Sequence, residues 1–331
     1  MKVLGMLYGM AVGDALGMPS ELWSREKVKS YFGDITEFLD GPKENDVACN
    51  FTKGQFTDDT TQALLILDSL IENDFIPSEK LIAEKLIEWA VRTDAFENNI
   101  LGPSSKAALL AIKEGENADI LTRKALTNGA AMRIAPIGAL FSTAQNKELS
   151  EYVFEVSRAT HTSDVSIGGA AMIAYAVSAS IEDKSWEQII EGALNIYELA
   201  SKKGAETFTA SIPERLKLGI EFADLYQDDE ETFTQKIYDV IGCGTMTSES
   251  VPAALAIAYY AKDPNRCALI CANIGGDTDT IGAMATAICG AKYGYDAIRK
   301  DWIDTIDSEN SVDLKNYAHF IELHKPQFKG V

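Results

Sequence analysis

Ile274-Gly275-Gly276-Asp277-Thr278-Asp279-Thr280-Ile281-Gly282 joins a Gly-Gly turn to two aspartates alternating with two threonines, and an Ala-rich apolar run from Ala283 to Ala291 follows. The run has the composition of a buried helix, so Asp277, Asp279 and Thr280 stand at a helix entrance where their oxygens can converge. Acids gathered at one point repel unless a cation lies among them. Two readings follow: half of an oxygen-ligand metal site, or a helix N-cap, where Asp and Thr are favoured. This stretch alone supports both.

Working outward, the rest of the chain is helical in pattern. Met1 to Leu16 sets Leu4, Leu7, Tyr8, Ala11, Val12 and Ala15 on one stripe, with Gly5, Gly9 and Gly13 every four positions, a spacing that suits a close helix contact. Gly33 to Gln55 shows no sustained period and reads as a long loop. Thr57-Asp58-Asp59-Thr60-Thr61 opens a helix, and further helices are expected over 79–91, 106–113, 149–160, 164–180, 186–201, 213–225, 231–240, 249–260, 264–273 and 312–324. Asn128-Gly129 precedes Ala-rich sequence and reads as another helix entrance. No alternating strand pattern or hairpin signal is present. The expected fold is all-α, a compact orthogonal multi-helix bundle, and with no linker in the chain residues 1–331 read as a single domain.

The chain has 331 residues, of which 46% are hydrophobic, with a formal net charge of −20. Such a charge disfavours nucleic acid or an anionic membrane as partner, because no basic surface is available to release counterions. An anionic small substrate is compatible only where cations or helix N-termini offset the local field. No signal-peptide pattern and no uninterrupted membrane-length apolar run is seen, so a cytoplasmic protein is expected, and a monomer. Cys49, Cys243, Cys267, Cys271 and Cys289 lack further ligands at metal spacing and read as buried free thiols.

Thr57-Asp58-Asp59 resembles the opening stretch in kind. Adjacent helical residues point about 100° apart, so Asp58 and Asp59 can share a target only at the first turn. The two entrances together offer the carboxylates of Asp58, Asp59, Asp277 and Asp279 and the hydroxyls of Thr57 and Thr280. An oxygen-only donor set without histidine favours Mg²⁺ or Mn²⁺ over Zn²⁺.

Five motifs occur in order: Gly13-Asp14-Ala15-Leu16-Gly17 with Glu21, Thr57-Asp58-Asp59-Thr60, Asn128-Gly129-Ala130-Ala131-Met132-Arg133, Ala159-Thr160-His161, and Gly275-Gly276-Asp277-Thr278-Asp279-Thr280. The ordered set resembles the ADP-ribosylglycohydrolase family, which includes the enzyme that reactivates ADP-ribosylated dinitrogenase reductase and related ADP-ribosyl-acceptor hydrolases. The resemblance implies a hydrolase of an ADP-ribosyl or related ribosyl bond, with a small ribosyl compound or an ADP-ribosylated protein as substrate. It implies two divalent cations held by Thr57, Asp58, Asp59, Asp277, Asp279 and Thr280. Glu21 matches a glutamate implicated in acid/base chemistry beside the metals, and Asp59 is expected to help align the attacking water. Asn128, Gly129 and Ala130 match a loop that approaches the substrate phosphates, with His161 near it, and Gly102 to Ser105, including Ser104, match a second substrate loop. Asp14 reads as structural.

The match departs at Asn98-Asn99-Ile100-Leu101, where some members carry an additional aspartate, and this weakens an ADP-ribosyl-arginine substrate. Asp94 and Glu97 stand slightly upstream. Trp23, Tyr31, Phe32 and Phe96 are candidates for an adenine-binding wall, against the alternative of ordinary packing. A nucleoside or small-riboside hydrolase and a non-catalytic helical descendant are the alternative functions.

Overall fold

Gly5, Gly9, Gly13 and Gly17 decide how the molecule is built. They form one edge of the helix Lys2–Gly17, and that edge lies against the helix Thr278–Tyr293, running the opposite way. A Cβ at Gly13 would overlap the carbonyl of Gly282, one at Gly9 that of Thr286, and one at Gly5 that of Gly290. The two backbones therefore touch, and side chains as large as alanine are excluded along the seam. The partner repeats the spacing with Gly282, Thr286 and Gly290. The sequence stripe understates the burial: Gly5 through Gly17 are buried on every side, as a helix apolar all round requires.

In this computed structural model, residues 1–98 and 100–325 are described, with seventeen α-helices and no sheet among them. The helices Asp164–Ile181, Thr247–Ala261 and Pro264–Ile274 pack around the central pair. Asp164–Ile181 is apolar and long enough to cross a membrane, but 89% of it is buried inside the protein. Thr247–Ala261 contains Pro252, whose missing N–H frees the carbonyl of Ser248; Arg215 Nη1 donates to that carbonyl at 2.8 Å.

Most expected helices are present within a few residues of their expected ends. The apolar period fails to mark Arg25–Phe32 and Lys300–Glu309, two short amphipathic helices with mostly polar faces. Glu230–Lys236 gives way to a wider turn over Ile237–Ile241. Asn128–Ala130 corrects the expectation of a helix entrance: it is a single tight turn, and the next helix, Ala135–Gly138, has four residues. Residues 33 to 55 are irregular as expected, and the irregular stretch runs on to Thr57. They are anchored by Asn273, whose side chain accepts from Ile35 N at 2.7 Å and donates to Ile35 O at 2.9 Å. The five cysteines are free, four buried and Cys49 half-buried.

Candidate functional site

The Gly-Gly turn aims the late motif. Gly275 and Gly276 have φ of +84° and +86°, a region that side chains disfavour. Leu22 N donates to Gly276 O and Gly276 N donates to Trp23 O, both at 2.7 Å, while Asp277 N donates to Cys243 O. The segment after Glu21 and the entrance of Thr278–Tyr293 are thus one paired unit. Asn45, 2% exposed, donates to the Glu21 carbonyl at 2.9 Å and fastens the long loop to the same place.

Asp277 holds the N-cap position, yet its side chain makes no cap hydrogen bond. Its Oδ2 instead accepts from Asn128 Nδ2. A carboxylate that forgoes its own helix N–H groups and turns toward other acids weighs against the capping alternative and for a ligand set. Thr57 does cap its helix, with Oγ1 accepting from Asp59 N at 3.5 Å. The same Oγ1 also lies 3.3 Å from Asp59 Oδ2 and 3.4 Å from Asp279 Oδ2. Thr280 Oγ1 donates to Asp59 Oδ1 at 3.0 Å. Both helices present their positive dipole ends here, which favours carboxylates.

Two carboxylate trios meet at Asp279. Oxygens of Glu21, Asp277 and Asp279 lie within 4.8 Å of one another, as do those of Asp14, Asp59 and Asp279. Asp14 is already engaged: its Oδ1 accepts from Thr57 N at 2.9 Å, and its Oδ2 from Thr60 N at 3.0 Å and Thr60 Oγ1 at 2.6 Å. It therefore clamps the entrance of Asp58–Glu72 onto the first helix. Burial pushes the carboxyls up, to about 6 for Asp14 and Asp277 and about 8 for Asp58. Asp59, Asp279 and Glu21 are held well above the carboxylate range by burial and then by neighbouring acids. Asp279 Oδ1 is buried with no hydrogen-bond partner among the described residues. A carboxylate oxygen without a protein donor, among acids that burial and mutual repulsion keep from ionising, belongs to a donor set suited to an oxygen-seeking cation. The residues present fit hard divalent cations.

A cleft of about 380 Å³ opens beside this cluster. Of the expected residues, Glu21, Asp58, Asp277, Asp279, Thr280, Gly102, Asn128 and Gly129 line it. Thr57 and Asp59 are 3% and 1% exposed and lie beneath its surface, so Asp59, expected beside the reacting water, does not open on the cleft. Ser104 is half-buried outside the lining, and Ser105 takes its place. Ala130 and His161 are fully buried. His161 stands behind the loop: a Cβ on Gly129 would meet its Cε1 at 2.7 Å.

The cleft also contains residues the sequence did not single out. Ser105 is 2% exposed, and its hydroxyl has no partner among the described residues. Lys106 is the one basic residue in the lining and forms no ion pair among the described residues. Both follow the uncapped entrance of Pro103–Lys113, and a Gly-Pro-Ser-Ser-Lys run at a helix start is the signal that could have marked them. Asp94 and Glu97 are exposed and do not line the cleft, and Asn99 lies outside the described residues. Trp23, Tyr31 and Phe32 pack on one another, with Trp23 and Phe32 stacked at 5.8 Å, and neither they nor Phe96 line the cleft.

The all-α scaffold has a counterpart among solved structures. One described as an ADP-ribosylglycohydrolase-related protein complex shares the fold, with a TM-score of 0.68 at 21% identity, covering 99% of this chain and 97% of that one. The sequence profile of the ADP-ribosylglycohydrolase family matches residues 1–327, and the chain belongs to that family. YegU of Escherichia coli K12, a protein of uncharacterised activity, is 45% identical over 331 residues, 100% of this chain and 99% of that protein. ADP-ribosylhydrolase ARH3 of Bos taurus is 23% identical over 341 residues, 94% and 90% of the two chains. The family consists of metal-dependent hydrolases acting on ADP-ribose linkages.

Proposed function

We propose that this chain, acting as one domain and as a cytoplasmic monomer, hydrolyses the glycosidic bond between an ADP-ribosyl group and its acceptor. The observation that carries the reading is the orphaned Asp279 Oδ1 at the junction of two buried carboxylate trios. Thr57, Asp58, Asp59, Asp277, Asp279 and Thr280 would hold two divalent cations, Mg²⁺ or Mn²⁺, which when bound supply a grip on the vicinal ribose hydroxyls and a water of lowered pKa. Glu21, half-buried on the cleft, has its carboxyl raised by burial and by the neighbouring Asp277 and Asp58, and is the group that delivers a proton to the departing atom. Asp59 acts from below by fixing Thr280 and Thr57.

Lys106 and Ser105 favour a substrate that carries phosphate over a bare nucleoside. An ammonium without an ion pair and a hydroxyl in the cleft lining can both bind a diphosphate, in a protein whose overall charge would otherwise repel it. Val47 and Ile100 also border a second chamber of about 420 Å³, where Asn50, Gln55, Thr61, Asn98 and Asn310 supply neutral polar groups. Among the described residues one carboxylate, Glu309, lines it, which suits a neutral acceptor better than a guanidinium.

The test is a product assay with Mn²⁺ on serine-linked and arginine-linked ADP-ribosyl peptides and on nucleosides. Release of ADP-ribose from the serine-linked peptide is expected. Turnover of nucleosides alone would overturn the ADP-ribosyl reading.

A further inference from the structure

Arg133 and the Ala159-Thr160-His161 motif lie outside the chemistry described above, yet both are deeply buried. Arg133 is 1% exposed, does not line the cleft and forms no ion pair among the described residues. A buried guanidinium without a carboxylate is costly unless its donors are used. Its Nη1 donates to Gln62 Oε1 at 2.7 Å and its Nη2 to Thr160 Oγ1 at 2.5 Å, while its Nε has no partner among the described residues.

Because arginine can only donate, it sets the direction of every bond beyond it. Gln62, 0% exposed, must turn its oxygen to Arg133 and its amide to Asp58, where Nε2 donates to Oδ2 at 2.7 Å. On the other branch the only partners of Thr160 Oγ1 among the described residues are Arg133 Nη2 and His161 Nδ1, so the threonine proton is used only if it points to His161 Nδ1, 2.8 Å away. His161 then carries its own proton on Nε2 and gives it to Thr127 Oγ1 at 3.2 Å. Its ring backs Gly129, one residue beyond Thr127 and Asn128.

We propose that Arg133 is a positioning residue for the cation cradle: through Gln62 it orients the Asp58 carboxylate, and through Thr160 and His161 it holds the Thr127–Gly129 loop in register with that carboxylate. The proposal rests on the metal-centre reading of the site. A charge that cannot reverse its polarity stands midway between the two halves of the cleft, and each half takes its hydrogen-bond direction from it. Without Arg133 the Gln62 amide is free to flip and present its oxygen to Asp58. Thr160 is likewise free to keep its proton from His161.

Mn²⁺ binding, measured by the electron paramagnetic resonance signal of free Mn²⁺, tests the first branch on the full chain with wild type, Q62L, R133M and the double variant. Each single change is expected to weaken Mn²⁺ about tenfold to a hundredfold, the usual cost of losing an outer-shell partner. The double variant is expected to be no weaker than the worse single one, because both cut the same connection. Nitrogen NMR of His161, one of three histidines, reads the second branch: a proton on Nε2 in wild type, and a mixture of tautomers in R133M. If R133M does not fold, R133Q replaces it, since a glutamine amide is not confined to donating and so does not fix the direction of the bonds beyond it. Unchanged Mn²⁺ affinity in Q62L, additive losses, or an Nδ1-protonated wild type would each overturn the proposal. A wild type that binds no Mn²⁺ overturns the metal centre itself, whereas binding that Q62L leaves intact overturns only the role of Arg133.

Discussion

Stripping divalent cations should give the protein a stability that falls as pH rises. Asp277 is 4% exposed and its carboxyl is pushed up to about 6, and Asp58 is pushed up to about 8, in both cases chiefly by burial. Each binds its proton more tightly in the folded chain than in the unfolded one. Their contribution is therefore fully present below about pH 4 and is lost as pH rises through 6 and then 8. A difference of about two units at Asp277 alone is roughly 3 kcal/mol at about 1.4 kcal/mol per unit. For a chain of this length the unfolding entropy is on the order of 0.7 kcal/mol per degree, so about 4 °C of Tm should be lost by pH 7. Bound Mg²⁺ or Mn²⁺ replaces those protons and reverses the trend, because the ligands must be ionised to hold it. Calorimetry from pH 5 to 8.5, with chelator and with millimolar Mg²⁺, measures the gap between the two Tm curves. It should widen by several degrees across that range, and a gap constant with pH would refute the electrostatic account.

Three further outcomes are expected. Glu21→Gln should lower kcat by about 10² to 10⁴ while Mn²⁺ binding persists, as loss of a general acid does; near-normal turnover would remove Glu21 from proton transfer. Gly13→Ala puts a methyl group into the Gly282 carbonyl and should cost about 3 kcal/mol, roughly 4 °C of Tm, in a thermal melt. His161 is pushed down to about 3 by burial beside Arg133, so it folds neutral, and its stabilising effect is lost as pH falls from about 6.5 toward 3. His161→Gln should flatten that acid-side slope in urea titrations.

The helical class and the late acidic entrance were legible because an apolar period and a Gly-Gly-Asp pattern are local signals. The seam of the fold was half visible: the spacing of Gly5, Gly9 and Gly13 announced a close contact, but its partner lies almost the whole chain away at Gly282 to Gly290. Lys300–Glu309 and Arg25–Phe32 escaped because a few buried residues, Trp302 or Val28, carry their packing while charge covers the rest. In the site, residue types at helix entrances could be read, but depth could not. Nothing in Thr57-Asp58-Asp59 says that Asp58 opens on the cleft and Asp59 lies beneath it. The same holds of His161, which stands near its loop as expected but behind it, and of Ser104, one residue of helical rotation from Ser105 in the lining. Gln62 gave no signal, as its importance rests on a contact with Arg133, 71 positions along the chain.

The most direct measurement is ADP-ribose release from a serine-linked ADP-ribosyl peptide by protein freed of metal and then given Mg²⁺ or Mn²⁺. The account predicts no release by the chelated protein, recovery on adding either cation, and no recovery in Asp277→Ala. Full activity in chelator, or recovery in Asp277→Ala, would contradict it.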